Sequence, residues 1–351
     1  MIEGLSKILD GSGQPGVIEL RELLQELIGG LGGVAYFTGE DTLQPRAQRV
    51  FRLRFSVRGQ AYSVVIKRLK PSIARRNELV ARRWLPAVGL SDSGPPLLGS
   101  VAAQSGDCVW HVYGDLGQGE LDPREPDRDR VQAAVELIAQ MHTRFAEHPL
   151  LGEARLHGGD LGIHFYEANV RDAGYALQRV KPAAQHAALR DRLLERLGKL
   201  LRQQRERADT LAEGGGPETL LHGDLWAINV FVIPTSNGLR VRLIDWDHAA
   251  VGPATYDLST FLLRFPPQHR SWILDLYRQA VAGAGWQLPH DRELNLLFET
   301  HELARFANRM IWPAVALVMD QADWGFEELA EVDRWFEQLQ SALPVGAEVA
   351  A

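Results

Sequence analysis

Residues 220–230 read LLHGDLWAINV, and residues 243–247 read LIDWD. Together they contain an acid, Asp224, an amide five positions later, Asn229, and a second acid, Asp245. Apolar residues surround both stretches, and short apolar runs bounded by turn signals are typical of buried strands. This ordered set of oxygen-bearing side chains, carried by strands, is the feature that decides the fold of the chain.

The order acid, amide, acid matches what kinase-type phosphoryl transfer requires. In that reaction one carboxylate orients the attacking hydroxyl, and an Asn with a second carboxylate holds the magnesium ions that bridge the nucleotide phosphates. Asp224 is therefore the candidate catalytic base. Asn229 and Asp245 are the candidate magnesium ligands, because Mg²⁺ prefers oxygen donors. Each acid alone would also fit a turn or a strand end, but the five-residue separation is that of the kinase catalytic loop.

The chain before these stretches predicts a strand-rich lobe with a phosphate-binding lysine. Residues 51–57 alternate apolar and polar side chains, and residues 61–69 follow after a short turn, which indicates a hairpin. Lys67 lies on the second strand, where a kinase-type site needs a lysine for the α- and β-phosphates. Glu78 is the only acid in the helix predicted over residues 72–85, and it is the candidate partner of Lys67.

Two further parts of a nucleotide site are predicted from position along the chain. Residues 42–48 lie where a phosphate loop belongs, although they carry no glycine-rich pattern. The backbone of Val112, Tyr113 and Gly114, at the end of a short apolar strand, is the candidate contact for the adenine edge. Without the glycines, the pattern leaves the choice between ATP and GTP open.

Helical spacing of apolar residues dominates the remainder of the chain. It predicts helices over residues 131–145 and 183–211 and from residue 256 onward, besides an early helix over residues 17–28. A strand-rich first part followed by a helix-rich remainder indicates an α+β fold with two lobes rather than alternating βαβ units. We predict the lobes as a nucleotide-binding part, residues 1–113, and a catalytic and substrate-binding part, residues 114–351.

Composition and charge narrow the class of protein. Hydrophobic residues at 45% and charged residues at 24% are ordinary for a globular protein, and a single cysteine, Cys108, excludes an internal disulfide framework. The first residues lack a secretory signal pattern, and no stretch is apolar enough for a membrane span. We therefore predict a cytoplasmic location and no membrane partner. The absence of a basic stripe with interleaved aromatic residues disfavours nucleic acid.

The quoted residues resemble those of the aminoglycoside phosphotransferase and choline kinase-like family of small-molecule kinases, which share the protein-kinase-like fold. The resemblance covers most of the chain, from the Lys67 strand to residues 256–258, and is most specific over residues 220–258. It implies an antiparallel β-sheet N-terminal lobe with one key helix, a mainly helical C-terminal lobe, and ATP with Mg²⁺ as cofactors. It also implies a phosphate-anchoring pair of Lys67 and Glu78, with Asp224 as base and Asn229 and Asp245 on the metal.

Two more residues take roles from the resemblance. His142 corresponds to a structural histidine of the second lobe, and Asp257 to an aspartate that we expect to hold the loop after Asp245. A protein kinase is disfavoured because Asp245 precedes Trp-Asp rather than Phe-Gly. Moreover, Tyr256 follows Asp245 by only 11 positions, which leaves no room for a peptide-docking loop.

The acceptor is predicted to be a small molecule with a hydroxyl group. After residue 115 the chain has 24 Lys+Arg against 34 Asp+Glu, so a cationic amino-alcohol or aminoglycoside is the first hypothesis. A neutral sugar or other hydroxylated metabolite is the alternative, and a non-catalytic nucleotide-binding protein of the same fold is a second one. The candidate acceptor residues are Trp246, Asp247, Glu299, Glu302, Trp312, Asp320, Asp323 and Trp324. On helices such residues also fit core and surface positions. The oligomeric state is left open.

Overall fold

The computed structural model describes residues 2–3, 13–30, 32, 34–43 and 49–344. Most of the predicted phosphate loop, residues 44–48, lies outside the described residues. The chain packs into two compact units. The first is Met1–Leu121 with Ile228–Ala249, and the second is Asp122–Ala227 with Ala250–Ala351. The first unit thus includes a segment from far along the chain, whereas the lobe boundary after residue 113 stays a prediction.

A six-stranded sheet forms the centre of the first unit. Its strands are β1 (Ile2–Glu3), β2 (Ala35–Thr42), β3 (Val50–Val57), β4 (Gln60–Leu69), β5 (Leu97–Ala102) and β6 (Val109–Gly114). Their order is β1-β2-β3-β4-β6-β5, with β1 parallel to β2 and the other neighbours antiparallel. The predicted hairpin is confirmed in β3 and β4. Strand β2 was not predicted, because Gly39, Glu40 and Asp41 have low strand propensity that sheet pairing overrides.

Two helical segments accompany this sheet. Helix α1 (Val17–Gly29) confirms the predicted early helix, and its buried residues Leu20 and Leu24 pack with Phe55 and Trp110 of the sheet. Helix α2 (Pro71–Leu79) continues through a π-helical turn, Val80–Trp84, into the short segment Leu85–Ala87. A second hairpin of the first unit consists of β8 (Val230–Thr235) and β9 (Gly238–Leu243).

The second unit is mainly helical. Its helices are α3 (Arg128–Phe145), α4 (Leu151–Gly158), α5 (Ile163–Arg179), α6 (Ala184–Arg202), α7 (Gln204–Gly214), α8 (Thr255–Leu263), α9 (Pro267–Ala282), α10 (Asp291–Met319) and α11 (Trp324–Gln338). A two-stranded antiparallel sheet, β7 (Glu218–Leu221) with β10 (Ala250–Pro253), completes it. Helix α10 packs against α5 and α11, and its Ala307 and Met310 share a core with Val170 and Val332. None of the described helices is long and apolar enough to cross a membrane.

The single helix predicted over residues 183–211 is wrong, because two helices, α6 and α7, meet at Gln203. The break allows Arg207 of α7 to reach α10, where its guanidinium contacts Thr300 at 2.9 Å and Glu299 at 2.7 Å. Apolar periodicity continues through the break, so the sequence pattern does not reveal it. The sheet of the first unit and the helices of the second confirm the predicted α+β class.

Candidate active site

The β8–β9 hairpin brings Asn229 and Asp245 to one end of two paired strands. Val230 pairs with Leu243, so Asn229 immediately precedes this pair and Asp245 follows it by two residues. The Ile244 N–H donates to the Asn229 carbonyl oxygen at 3.0 Å, which continues the pairing by one step. Asp245 itself has φ 64° and ψ 57°, in the left-handed region that is uncommon for residues other than glycine. The chain therefore turns sharply at the second acid.

Lys67 of β4 forms ion pairs with two carboxylates of this turn. Its Nζ lies 2.5 Å from Asp245 Oδ1 and 2.7 Å from Asp247 Oδ1. Burial by itself lowers the pKa of Lys67, but the charges and hydrogen bonds of the two aspartates outweigh burial and raise it above its ordinary value. Lys67 is therefore a firmly protonated cation beside the candidate metal ligand.

Helix α2 reaches this cluster through an asparagine that the sequence analysis missed. Asn77 Nδ2 donates to Asp247 Oδ1 and to the Ile73 carbonyl oxygen, both at 3.0 Å. Arg76 donates to the backbone carbonyl oxygen of Asp247. Asn77 is buried on the same helix face as Ala74, three residues before it. A polar residue on an otherwise apolar helix face is the signal that would have identified it.

Glu78 does not pair with Lys67, contrary to expectation. Its carboxylate lies 3.6 Å from His111 Nε2 and 3.9 Å from Arg75, and the described carboxylates within 4 Å of Lys67 are those of Asp245 and Asp247. Burial lowers the pKa of His111 to about 4, although Glu78 opposes this effect. His111 is thus neutral near pH 7, and its contact with Glu78 is not an ion pair. Asp247 replaces Glu78 as the observed partner of Lys67.

The predicted adenine contact lies inside the sheet. Strand β6 pairs with β4 and β5, and both Val112 and Tyr113 have partners on either side. A strand paired on both sides uses its backbone groups within the sheet. Gly114 also donates its N–H to the Pro96 carbonyl oxygen at 2.9 Å. The backbone groups that contact the adenine are therefore expected in the segment after Gly114 rather than in the strand before it.

Asp115 fixes the chain directly after β6. Its carboxylate accepts hydrogen bonds from Ser63 Oγ at 2.6 Å and the Gly117 N–H at 3.0 Å, and it pairs with Arg52 Nε at 2.8 Å. Burial by itself raises the pKa of Asp115, but these three partners together lower it below its ordinary value. The segment that leaves the sheet is thus held in one conformation by an ionised carboxylate.

In the second unit, a fully buried carboxylate holds the loop that leads to Asp224. Asp257 of α8 accepts the backbone N–H groups of His222 at 2.7 Å and Gly223 at 2.9 Å. Gly223 has φ 81°, a conformation that glycine adopts without strain. The expectation that Asp257 holds the loop after Asp245 is therefore wrong. Its hydrogen bonds go to the residues before Asp224, because α8 carries it under that loop.

His142 also contacts the carboxylate of Asp257. Its Nε2 lies 3.3 Å from Asp257 Oδ2, and its Nδ1 lies 2.9 Å from the Tyr277 hydroxyl. Burial by itself raises the pKa of Asp257, but the hydrogen bond and charge of His142, followed by those of His222, outweigh burial and lower it. All three side chains are fully buried, which fits the structural role expected for His142.

Asp224 is half-buried at the end of this braced loop. Its backbone carbonyl oxygen accepts the Trp226 N–H at 2.9 Å, and its own N–H lies 3.4 Å from His222 Nδ1. Leu225 and Ala227 are buried, whereas Trp226 between them is exposed. Asp224 thus belongs to the second unit, whereas Asn229, Asp245 and Lys67 belong to the first.

Trp246 and Asp247, the two residues after Asp245, both have hydrogen-bond partners in the first unit. Trp246 is fully buried and donates its Nε1–H to the Leu243 carbonyl oxygen at 2.9 Å. It is a core side chain with no surface for an acceptor, so the predicted acceptor contact is wrong. Asp247 is bound to Lys67 and Asn77, as described above, which places it with the lysine.

The predicted acidic and aromatic acceptor residues of the second unit do not share one exposed pocket. The Glu302 side chain is only 3% exposed and is hydrogen-bonded to Arg305, and Glu299 pairs with Arg207. Trp312 is 64% exposed and, with Trp324, lines a cavity of about 290 Å³. The sequence pattern that suggested Glu299 and Glu302 does not show that Arg207 and Arg305 of the same unit pair with them.

The chain matches the phosphotransferase enzyme family (APH) over residues 43–294. This match covers more than half of the 351 residues and includes Lys67, Asp224, Asn229 and Asp245. The chain belongs to this family. The predicted relationship to small-molecule phosphotransferases is thereby confirmed.

Solved structures of small-molecule kinases share the fold. An ethanolamine kinase from Plasmodium vivax has a TM-score of 0.55 at 11% identity, covering 92% of this chain and 89% of that one. A spectinomycin phosphotransferase in complex with ADP and spectinomycin has 0.55 at 14%, covering 92% and 95%. The macrolide 2'-phosphotransferase of Brachybacterium faecium has 0.51 at 17%, covering 90% and 97%. No curated protein has a significant sequence match to the chain.

Proposed function

We propose that the protein transfers the γ-phosphate of ATP to a hydroxyl group of a small molecule, with GTP as the alternative donor. Family membership supports a phosphotransferase. The observation that carries the proposal is the ion-pair cluster of Lys67 with Asp245 and Asp247, at the hairpin end where Asn229 also lies. A buried cation beside oxygen ligands is what a nucleotide triphosphate and its metal require.

The first unit supplies the residues for the nucleotide. Asp245 and Asn229 offer a carboxylate and an amide oxygen, which fits Mg²⁺, an ion commonly held by one or two carboxylates together with substrate phosphates. Asp245 and Asn229 would hold this ion, and the chemistry it would supply there is the neutralisation of negative charge on the phosphates. Lys67 donates to the α- and β-phosphates, while Asp247 and Asn77 keep the lysine tied to α2. We place the adenine edge against the segment that follows Gly114.

The second unit supplies the base. Asp224 orients the acceptor hydroxyl and accepts its proton as the new bond forms between the acceptor oxygen and the γ-phosphorus. The bond between the γ-phosphorus and the bridging oxygen breaks, which yields ADP and a phosphate monoester. Asp257 and His142 act on this step through the backbone, because they fix the loop before Asp224. As proposed from the sequence, this chemistry takes place in the cytoplasm, where ATP is available.

An acceptor screen tests the proposal. The purified protein is incubated with Mg-ATP and a panel of amino-alcohols, aminoglycosides, sugars and hydroxy acids, and products are identified by the mass gain of one phosphoryl group. We expect at least one acceptor to gain that mass with matching ADP release. Thermal stabilisation by Mg-ATP without turnover on any acceptor would instead favour a nucleotide-binding protein of the same fold.

Asn77, which holds the observed lysine partner Asp247, can be compared directly with Glu78, the predicted lysine partner. We expect Asn77→Leu to raise the KM for ATP by roughly tenfold, because a hydrogen bond to a charged group contributes about 1.5–3 kcal/mol and about 1.4 kcal/mol corresponds to a factor of ten. We expect Glu78→Gln to stay within about twofold, because its carboxylate does not contact Lys67. Initial rates over a range of ATP concentrations measure both, with melting temperatures as the folding control. A larger effect from Glu78→Gln would contradict the assignment.

A further inference from the structure

A half-buried arginine, Arg264, stacks on Trp226, which lies two residues after Asp224. The Arg264 guanidinium carbon lies 4.1 Å from the ring centroid of Trp226, whose backbone N–H donates to the Asp224 carbonyl oxygen. Trp226 is 38% exposed and the Arg264 side chain 32%. A cation within about 6 Å of a tryptophan face is attracted by the ring. The ring therefore fixes a positive charge in a set position relative to the catalytic loop.

The carboxylate nearest to this arginine is already neutralised by another one. Arg305 hydrogen-bonds Glu302 directly, donates to the Tyr256 carbonyl oxygen at 2.7 Å and stacks on the Tyr256 ring at 3.8 Å. Arg264 Nη2 stays 3.9 Å from Glu302, beyond hydrogen-bond distance. The buried Asp257 is bound to the loop backbone, as described above. Among the described residues, the Arg264 guanidinium therefore has no carboxylate within hydrogen-bond distance.

The electrostatics of Arg264 connect it to Asp224. Burial is the largest effect on the pKa of Arg264 and lowers it, whereas Glu302 and Asp224 act in the opposite direction. Asp224 therefore interacts electrostatically with the guanidinium, which remains charged as arginines in proteins do. Its Nε makes no hydrogen bond among the described residues. Internal hydrogen bonding does not explain the position of Arg264.

We propose that the acceptor carries an anionic group, such as a carboxylate, which pairs with Arg264 while the acceptor hydroxyl lies against Asp224. The guanidinium presents N–H donors in a fork that matches a carboxylate, and such charge-assisted pairs are the strong ones. An amine at the same place meets a like charge. This assignment rests on the proposed phosphoryl transfer with Asp224 as base, and it replaces the cationic acceptor predicted from overall charge.

Acceptors that differ only in the charge at one end measure the effect of that charge on the reaction. Gluconate, sorbitol and glucamine share a six-carbon polyol chain and differ at one end, and glycerate, glycerol and 3-amino-1,2-propanediol form the same series on three carbons. We expect kcat/KM for the carboxylates to exceed that of the neutral and amine members by roughly 10- to 100-fold, the range of a charged hydrogen bond. Higher kcat/KM for the amines would overturn the proposal.

Variants of Arg264 test whether this residue causes the preference for acceptors with a carboxylate. We expect Arg264→Gln to remove the preference for carboxylates and Arg264→Lys to keep part of it. Arg278→Gln on α9 is the matched control, because the Arg278 side chain is also 32% exposed but pairs with Asp275 and Asp291. A rate loss in Arg264→Gln that is equal for all three acceptors would also overturn the proposal, and would assign Arg264 to the transferred phosphoryl group.

A binding measurement separates this proposal from the proposed function. Calorimetric titration of gluconate and glycerate into wild-type protein and Arg264→Gln needs no turnover. Carboxylate binding that depends on Arg264, without phosphoryl transfer to any acceptor, would support the anion site and contradict the kinase reaction. Transfer to acceptors of every charge class, with carboxylate binding unaffected by Arg264→Gln, would contradict the anion site and leave the kinase reaction standing.

Discussion

Asp224→Asn is expected to lower kcat for phosphoryl transfer by roughly 10²- to 10⁴-fold, the range attributed to general base catalysis. The asparagine keeps the size of the side chain and the backbone contacts of the loop, but it does not accept the proton of the acceptor hydroxyl. Affinity for Mg-ATP is expected to remain within about twofold, because the nucleotide residues Lys67 and Asp245 belong to the first unit. Coupled ADP release measures kcat, and calorimetry measures nucleotide binding.

Asp209→Asn is the matched control for this substitution. Asp209 lies on α7 in the same unit, is largely exposed and makes only a long contact of 3.9 Å with Arg205. We expect it to retain wild-type kcat. Turnover of Asp224→Asn within about tenfold of wild type would remove Asp224 from the role of base. A parallel loss of nucleotide binding would point to a folding defect instead.

Asp257→Ala is expected to lower the free energy of unfolding by about 3–5 kcal/mol, because it leaves several buried donors without an acceptor and each such donor costs about 1–3 kcal/mol. The substitution leaves the N–H groups of His222 and Gly223 and the ring of His142 without their acceptor in a fully buried place. Urea unfolding followed by tryptophan fluorescence measures the change. Asp275→Ala, which changes an exposed aspartate of α9, is the control. A decrease in the free energy of unfolding of less than about 1 kcal/mol for Asp257→Ala would contradict the role of Asp257 in holding the loop.

The same carboxylate makes stability depend on pH. The pKa of Asp257 is lowered in the folded protein, so its contribution is complete above the pKa of an unfolded aspartate, about 3.9. The contribution is lost as pH falls through the lower, folded-state pKa. We expect urea midpoints of the wild type to fall below about pH 4, and the midpoints of Asp257→Ala to fall less steeply. Equal slopes for both proteins would show that other carboxylates control acid unfolding.

The strands that carry the candidate site residues were predictable because they are close together along the chain. Asn229 and Asp245 flank two strands that pair as a hairpin, and such local pairing is readable from apolar runs and a turn. The lysine strand was predictable for the same reason. The partner of Lys67 was not predictable, because Asp247 meets Lys67 across 180 positions of chain and no local sequence period indicates that contact. Proximity along the chain suggested Glu78 instead.

The acceptor-binding residues could not be predicted from the sequence for a different reason. Glu302 and Trp246 have residue types that suit a ligand site, yet both side chains are buried in the structure. Whether a glutamate on a long helix faces solvent or a neighbouring arginine depends on how helices pack, and α10 is buried over much of its length. Arg264 was not singled out because its importance arises from stacking on Trp226, 38 positions earlier in the chain.

The left-handed backbone at Asp245 restricts which residues this position accepts. A residue with a Cβ atom adopts that conformation at a cost of about 1–2 kcal/mol, and aspartate and asparagine tolerate it better than most others. Glycine would remove the cost but would leave the Lys67 ammonium without one of its two carboxylate partners. Among the residues that tolerate this turn, only aspartate also carries a negative charge. Backbone geometry and ligand chemistry thus select the same amino acid on two independent grounds.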